Sequence, residues 1–168
     1  MFDKISYGVN IPHSFNVVIE ISANSKPVKY EINKSTGLIH VDRFILTPMR
    51  YPCNYGYIPN TLCGDGDPLD VLVLSPNSLI NGCVIEVRPI GLLNMIDEGG
   101  VDYKILSVPI NKLTLLYSDI INFTDLHVSF LKKIKLNNKE KWINRCFHYL
   151  DFCYCPSLLF SVKNIRKL

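Results

Sequence analysis

Between Phe15 and Pro109 apolar residues recur at every second position in short runs, and that rhythm stops after Asn111. A period of two sends alternate side chains to opposite faces of a strand. Phe15, Val17, Ile19 and Ile21 alternate with Asn16, Val18, Glu20 and Ser22, which predicts a half-buried strand with Glu20 on its less apolar face. After a turn at Asn24 to Pro27, Lys29 to Asn33 alternates again and places Lys29, Glu31 and Asn33 together. Ser35-Thr36-Gly37 turns the chain into a third strand, Leu38 to Phe44. Tyr51 to Asp70 is rich in Gly, Pro, Asn and Asp and reads as loop. Val71 to Leu74 is a short apolar strand. Val84 to Met95 is a long strand with a bend or bulge at Pro89-Ile90-Gly91. Asp97 to Gly100 is a turn, and Asp102 to Pro109 is a strand with Asp102 and Lys104 on one face. Leu113 to Lys135 has helical spacing, broken around Asn122 to Asp125. Short strands followed by helix predict a mainly β fold with flanking α, a small β-barrel with helices on one side. Periodicity by itself leaves barrel and sandwich both open.

The 168 residues suit one domain with its own core. Lys and Arg total 18 against 15 Asp and Glu, a formal charge of +3, which does not by itself select nucleic acid or an acidic membrane. The lysines at 132, 133, 135, 139 and 141 read as a solvated helix face. Met1 to Asn10 carries Asp3, Lys4 and Gly8 and lacks an apolar h-region. The six cysteines are therefore read as reduced thiols, and none has the spacing of a zinc pair. Cys146 to Val162 is apolar but shorter than the roughly 20 residues a span requires, and Asp151 and Pro156 interrupt it, so no membrane span is expected.

The run Asp65-Gly66-Asp67-Pro68-Leu69-Asp70 puts three carboxylates within six residues. Their repulsion is costly unless cations neutralise it. An EF-hand does not fit, because Pro76 stands where that loop needs its twelfth-position glutamate. Asp97, Glu98 and Asp102 form a second acidic group, with Glu20 and Glu31 on neighbouring strands. All are hard oxygen ligands, which favour Mg²⁺ or Mn²⁺ over zinc. Lys29, Arg43, Lys104, Tyr51 and Tyr55 are interleaved with them. Metal-binding carboxylates mixed with fixed cations suit a polyanion such as a phosphate compound. An oligonucleotide-binding module of the same fold class would want a basic groove with exposed aromatics, and the carboxylates oppose it.

These residues resemble the family I soluble inorganic pyrophosphatases of bacterial type. The resemblance rests on Val18-Ile19-Glu20-Ile21, Lys29-Tyr30-Glu31-Ile32, Val41-Asp42-Arg43-Phe44, Tyr51-Pro52-Cys53-Asn54-Tyr55-Gly56-Tyr57-Ile58, Asp65 to Val71, and Met95-Ile96-Asp97-Glu98-Gly99-Gly100, over roughly residues 13 to 126. It implies an OB-like five-stranded barrel, several Mg²⁺ ions with Mn²⁺ as a possible substitute, and cytoplasmic hydrolysis of pyrophosphate to two phosphates. It implies a homo-oligomer, a hexamer, while the carboxylates and the lack of a span leave no nucleic-acid or membrane partner expected. By the resemblance, Asp65, Asp70 and Asp102 hold a first metal and Asp70 is shared with a second. Asp97 with Asp102 takes metal arriving with substrate, and Glu20 and Glu31 support a further ion. Asp67 is the general base. Lys29, Arg43, Tyr55 and Lys104 grip phosphate oxygens, with Glu98 and Tyr51 in support. After Leu126 the resemblance breaks. The family's Tyr-Lys phosphate contacts have no counterpart, although Lys139-Glu140-Lys141-Trp142 is similar to a later family segment, and 127–168 reads as a divergent tail of the single domain. That departure leaves open a pyrophosphatase-like protein with weakened catalysis.

Overall fold

The computed structural model describes residues 5–46, 48, 50–63, 66–97 and 100–137. Of the predicted site residues, Asp65 and Glu98 lie outside the described residues, as does the side chain of Asp97. So does the expected divergent tail from residue 138 onward.

Among the described residues, seven strands and one α-helix follow in order: β1 Phe15–Ile21, β2 Val28–Ile32, β3 Ile39–Phe44, β4 Asn54–Tyr57, β5 Asp70–Val73, β6 Val84–Asp97, β7 Gly100–Pro109 and α1 Val128–Asn137. Five of them close a barrel in the order β1-β4-β5-β7-β6, and β2 and β3 form a separate hairpin. The fold is thus mainly β with flanking α, and the architecture is the OB-like five-stranded barrel that the resemblance implies. All barrel pairs are antiparallel except β5 with β7, where Asp70 lies opposite Lys104. The expected irregularity at Pro89-Ile90-Gly91 is a register shift between Pro89 and Gly91 in the β6–β7 pair.

Alternation along the strands builds three apolar layers. Phe15, Val17, Ile19, Val71, Val73, Val87 and Ile105 make the largest core cluster. The opposite faces of β5, β6 and β7 supply Leu72, Ile90, Leu106 and Val108, which pack with Ile134 of α1 and with Tyr117, Phe123 and Phe130. Val18, Ile32 and Tyr57 fill the gap beneath the β2–β3 hairpin. Nearly every position of β1 is consequently buried. The expected half-buried strand is corrected by this second cover: the hairpin closes over the face that holds Val18 and Glu20, and Glu20 is 8% exposed.

The segment read as loop from Tyr51 to Asp70 contains β4, which joins β1 to β5. Asn54 and Gly56 disfavour a strand, and tertiary contacts compensate. The Asn54 side chain is fully buried; its Oδ1 accepts from Ala23 N at 2.9 Å and Leu79 N at 2.8 Å, while its Nδ2 donates to Ser75 Oγ at 2.7 Å. The helix expected from Leu113 is also corrected. Residues 111–121 form turns, Phe123–Asp125 is one turn of 3₁₀-helix, and α1 starts only at Val128. The Arg88 guanidinium on β6 donates to the carbonyls of Ile120, at 2.7 Å, and Tyr117, so an outside donor takes up acceptors that a helix would satisfy internally. The expected break at Asn122 to Asp125 is real: the Asn122 side chain caps Thr124 N and the Asp125 carboxylate accepts from Asn122 N, a capping box. Among the described residues no helix is long and apolar enough to cross a membrane.

Candidate active site

β4, β5 and β7 are adjacent, and their outward-facing positions bring together four predicted residues. Asp70 starts β5 at the level of Lys104 on β7, and Tyr55 of β4 lies opposite Leu72, two residues along the same face. Strand parity puts Asp102 beside Lys104. The Lys104 ammonium donates to Asp70 Oδ2 at 2.6 Å, is 2.8 Å from Asp102 Oδ2, and lies 3.2 Å from the Tyr55 hydroxyl, which itself donates to Asp70 Oδ2. Lys104 is 7% exposed. Burial opposes its charge, but Asp70 and then Asp102 outweigh that and hold the ammonium above its ordinary range. Asp70 is pushed up by burial, with Asp102 adding repulsion, even against the pull of Lys104. Tyr55 is pushed well up, first by burial and then by Asp70.

Glu20 enters from β1 on the covered face. Its Oε1 accepts from Ile32 N at 2.9 Å, which ties β1 to the hairpin. Burial raises the carboxyl from its ordinary 4.5 to about 7, and the charges of Asp70 and Glu31 add to the rise. Between pH 4.5 and 7 the folded chain therefore binds more proton at Glu20 than the unfolded chain does. Stability from this group is full below pH 4.5 and is lost as the pH rises through 7. With chelator present, Glu20→Gln is expected to gain about 2–3 kcal/mol over the parent at pH 8 relative to pH 4, because the neutral amide carries no charge to bury. Denaturant melts of both proteins across that range check this; curves that stay parallel contradict the buried charge.

The hairpin carries the remaining cations. The β2–β3 register sets Lys29 opposite Arg43, and a bulge between Lys29 and Tyr30 inserts Asp42 beside them. Asp42 Oδ2 lies 3.3 Å from Lys29 Nζ and 3.0 Å from Arg43 Nε, and Lys29 Nζ is 2.6 Å from Glu31 Oε1. Burial disfavours the charge of Lys29, but Glu31 and Asp42 raise it above its ordinary value. Tyr51 joins the two groups: its ring centroid is 5.7 Å from that of Tyr55. Burial raises its hydroxyl while the charges of Lys29, Lys104 and Arg43 pull the other way. Asp67 is 74% exposed, with its Oδ1 3.1 Å from Lys34 Nζ. Two charged residues were missed by the sequence reading. Asp42 is flagged only by the need to separate two cross-strand cations, and Lys34 sits in a turn that periodicity does not orient.

Among the described residues the barrel face therefore holds oxygen donors and fixed cations, with no thiolate or imidazole in the cluster. Among the described residues no three acidic, His or Cys side chains form a ready cage for an ion. The donor chemistry nevertheless fits a hard divalent cation. Asp70 and Asp102 share one ammonium, and Glu20 is a buried carboxylate whose charge is disfavoured, so added positive charge would relieve all three.

The model of the family described as inorganic pyrophosphatase matches residues 17–143. The chain belongs to the inorganic pyrophosphatase family. A family relative from Ralstonia nicotianae, named inorganic pyrophosphatase, is 53% identical over 134 residues, covering 80% of this chain and 77% of its own. The crystal structure of inorganic pyrophosphatase from Ehrlichia chaffeensis is 50% identical, with a TM-score of 0.77 over 81% of this chain and 85% of that one. A structure titled inorganic phosphatase from Anaplasma phagocytophilum is 43% identical, with a TM-score of 0.84 over 97% and 99% of the two chains. The family match spans the barrel, the hairpin and α1, and ends one residue beyond Trp142.

Proposed function

We propose that this chain hydrolyses inorganic pyrophosphate to two phosphates, with Mg²⁺ as cofactor and without a covalent intermediate. The observation that carries the reading is the cluster of Asp70, Asp102 and Lys104 on one barrel face, with Tyr51 in reach of the charges of Lys104 and of the hairpin cations Lys29 and Arg43. Pyrophosphate needs its charge neutralised from several sides, which is most of what phosphoryl transfer asks of a protein. Asp65, Asp70 and Asp102 would hold a first cation, Asp70 would share a second, Asp97 would join Asp102, and Glu20 with Glu31 would support another. When bound, such cations neutralise phosphate oxygens and lower the pKa of water. Asp67 accepts the proton of the attacking water. Its carboxylate is open to solvent, where a water can reach it. Lys29 and Arg43 grip phosphate oxygens from the hairpin, and Lys104 and Tyr55 from the barrel floor, each through charge-assisted or hydroxyl hydrogen bonds. Glu98 and Tyr51 support them. Family membership supports Mn²⁺ as a substitute ion, a homo-oligomeric assembly and a cytoplasmic site of action as parts of the same reading.

Phosphate release from pyrophosphate with and without Mg²⁺ is the direct test. Failure to release phosphate at any Mg²⁺ concentration by a correctly folded protein would refute the reading. Asp70→Asn and Asp102→Asn should both weaken Mg²⁺ binding, Asp70→Asn more, by about tenfold or greater. Isothermal titrations of the two variants measure this, and parental affinity in both would remove the carboxylate site.

A further inference from the structure

Lys34 stands in the turn between β2 and β3, outside every group assigned so far. The Asn33 side chain shapes that turn. Its Oδ1 accepts from Ser35 N at 3.1 Å, Ser35 Oγ at 2.6 Å and Thr36 N at 3.0 Å, and Gly37 N donates to the Asn33 carbonyl at 2.7 Å. From this ordered base the Lys34 ammonium reaches two elements of the barrel. It donates to Asp67 Oδ1 at 3.1 Å and lies 5.9 Å from the ring centroid of Tyr57, a core residue of β4 that is 4% exposed. Its charge also acts on Glu20. The Asp67 backbone is held independently: Cys63 N donates to the Asp67 carbonyl at 2.7 Å, and Gly66 N donates to the Cys63 carbonyl at 3.1 Å. Those bonds act on the backbone, whereas the Lys34 ion pair acts on the carboxylate itself.

An exposed ion pair adds little stability. A general base, by contrast, works only when its oxygen points at the proton it removes, and small misplacements are costly in rate. We infer that Lys34 is a positioning residue that orients the Asp67 carboxylate and ties its loop to the hairpin, an inference that rests on the reading of Asp67 as general base. The ring of Tyr57 steadies the ammonium, so the tether runs from the packed β4 strand through Lys34 to Asp67.

Four proteins test this: Lys34→Gln, Lys34→Arg, Asp67→Asn and the Lys34→Gln/Asp67→Asn double variant, assayed for phosphate release at high enzyme concentration. Lys34→Gln is expected to lower kcat about tenfold with KM within about twofold of the parent. Lys34→Arg should recover kcat to within about threefold, because a longer cation can still reach the carboxylate. In the Asp67→Asn background the same Lys34→Gln change should alter kcat less than about twofold, since there is no longer a base to orient. Amide exchange at Gly66, Asp67 and Leu69 of the metal-free protein should quicken in Lys34→Gln while the thermal midpoint stays put. An equal loss in both backgrounds, or a loss confined to KM, would mean that Lys34 contacts substrate directly and overturns the inference alone. Parental turnover by Asp67→Asn would remove the general base itself, and the Lys34 inference with it.

Discussion

Replacing Asp67 with Asn is expected to lower kcat by about 10²–10⁴-fold, the usual worth of a positioned general base. The substitution is sterically mild. Asp67 is exposed, and its backbone is tied through Cys63, so the amide can occupy the same place and still accept from Lys34. What the amide loses is the ability to take a proton. Mg²⁺ binding should stay close to parental, because the proposed ligands are the carboxylates on either side in sequence, Asp65 and Asp70. Turnover measured across the pH range at saturating Mg²⁺, beside a calorimetric Mg²⁺ titration, separates the two roles. Near-parental turnover at every pH would end the assignment. A large loss of Mg²⁺ affinity would instead move Asp67 into the ligand set.

Gly56→Ala should cost about 4 kcal/mol or more of stability, a large share of what a domain of this size has. Gly56 lies opposite Ile19 where β4 pairs with β1. A Cβ at that position would sit 2.0 Å from the Val18 carbonyl oxygen and 2.8 Å from its carbon. Both atoms belong to a buried barrel strand, so neither can swing aside, and relief requires the two strands to part. The same strand carries Tyr55 to Asp70 and Tyr57 to Lys34, so the site should loosen with the barrel. Denaturant unfolding of the metal-free variant checks this. A midpoint equal to the parent's would show that β1 and β4 separate more easily than their packing implies.

Much of the chemistry could be read from neighbours in sequence. Three carboxylates between Asp65 and Asp70 repel one another wherever the chain places them, because their closeness is a local fact. Strand parity correctly joined Lys29 to Glu31 and Asp102 to Lys104, since residues two apart on a strand share a face. The bend at Pro89 to Gly91 and the break at Asn122 to Asp125 were legible for the same reason: turn and capping residues act on their immediate surroundings.

Other features had no local signal. β4 is a strand because Asn54, buried and hydrogen-bonded to Ala23, Ser75 and Leu79, is held from three separate segments, although Asn54 and Gly56 disfavour a strand. Leu113 to Ile121 has helical spacing, yet Arg88 captures two of its carbonyls from the barrel wall. Glu20 looked half-exposed because alternation reports only one cover, whereas the hairpin supplies a second. Sequence by itself determined the strand-rich class and the same-strand charge pairs, both set by residues within a few positions of each other. The tertiary structure alone decided the closure of the barrel and the burial of Glu20. It also decided the meetings of Tyr55 and Asp70 with Lys104 and of Lys34 with Asp67. Those depend on which distant strands come to lie side by side, and a side chain's period along its own strand carries no record of what will cover it.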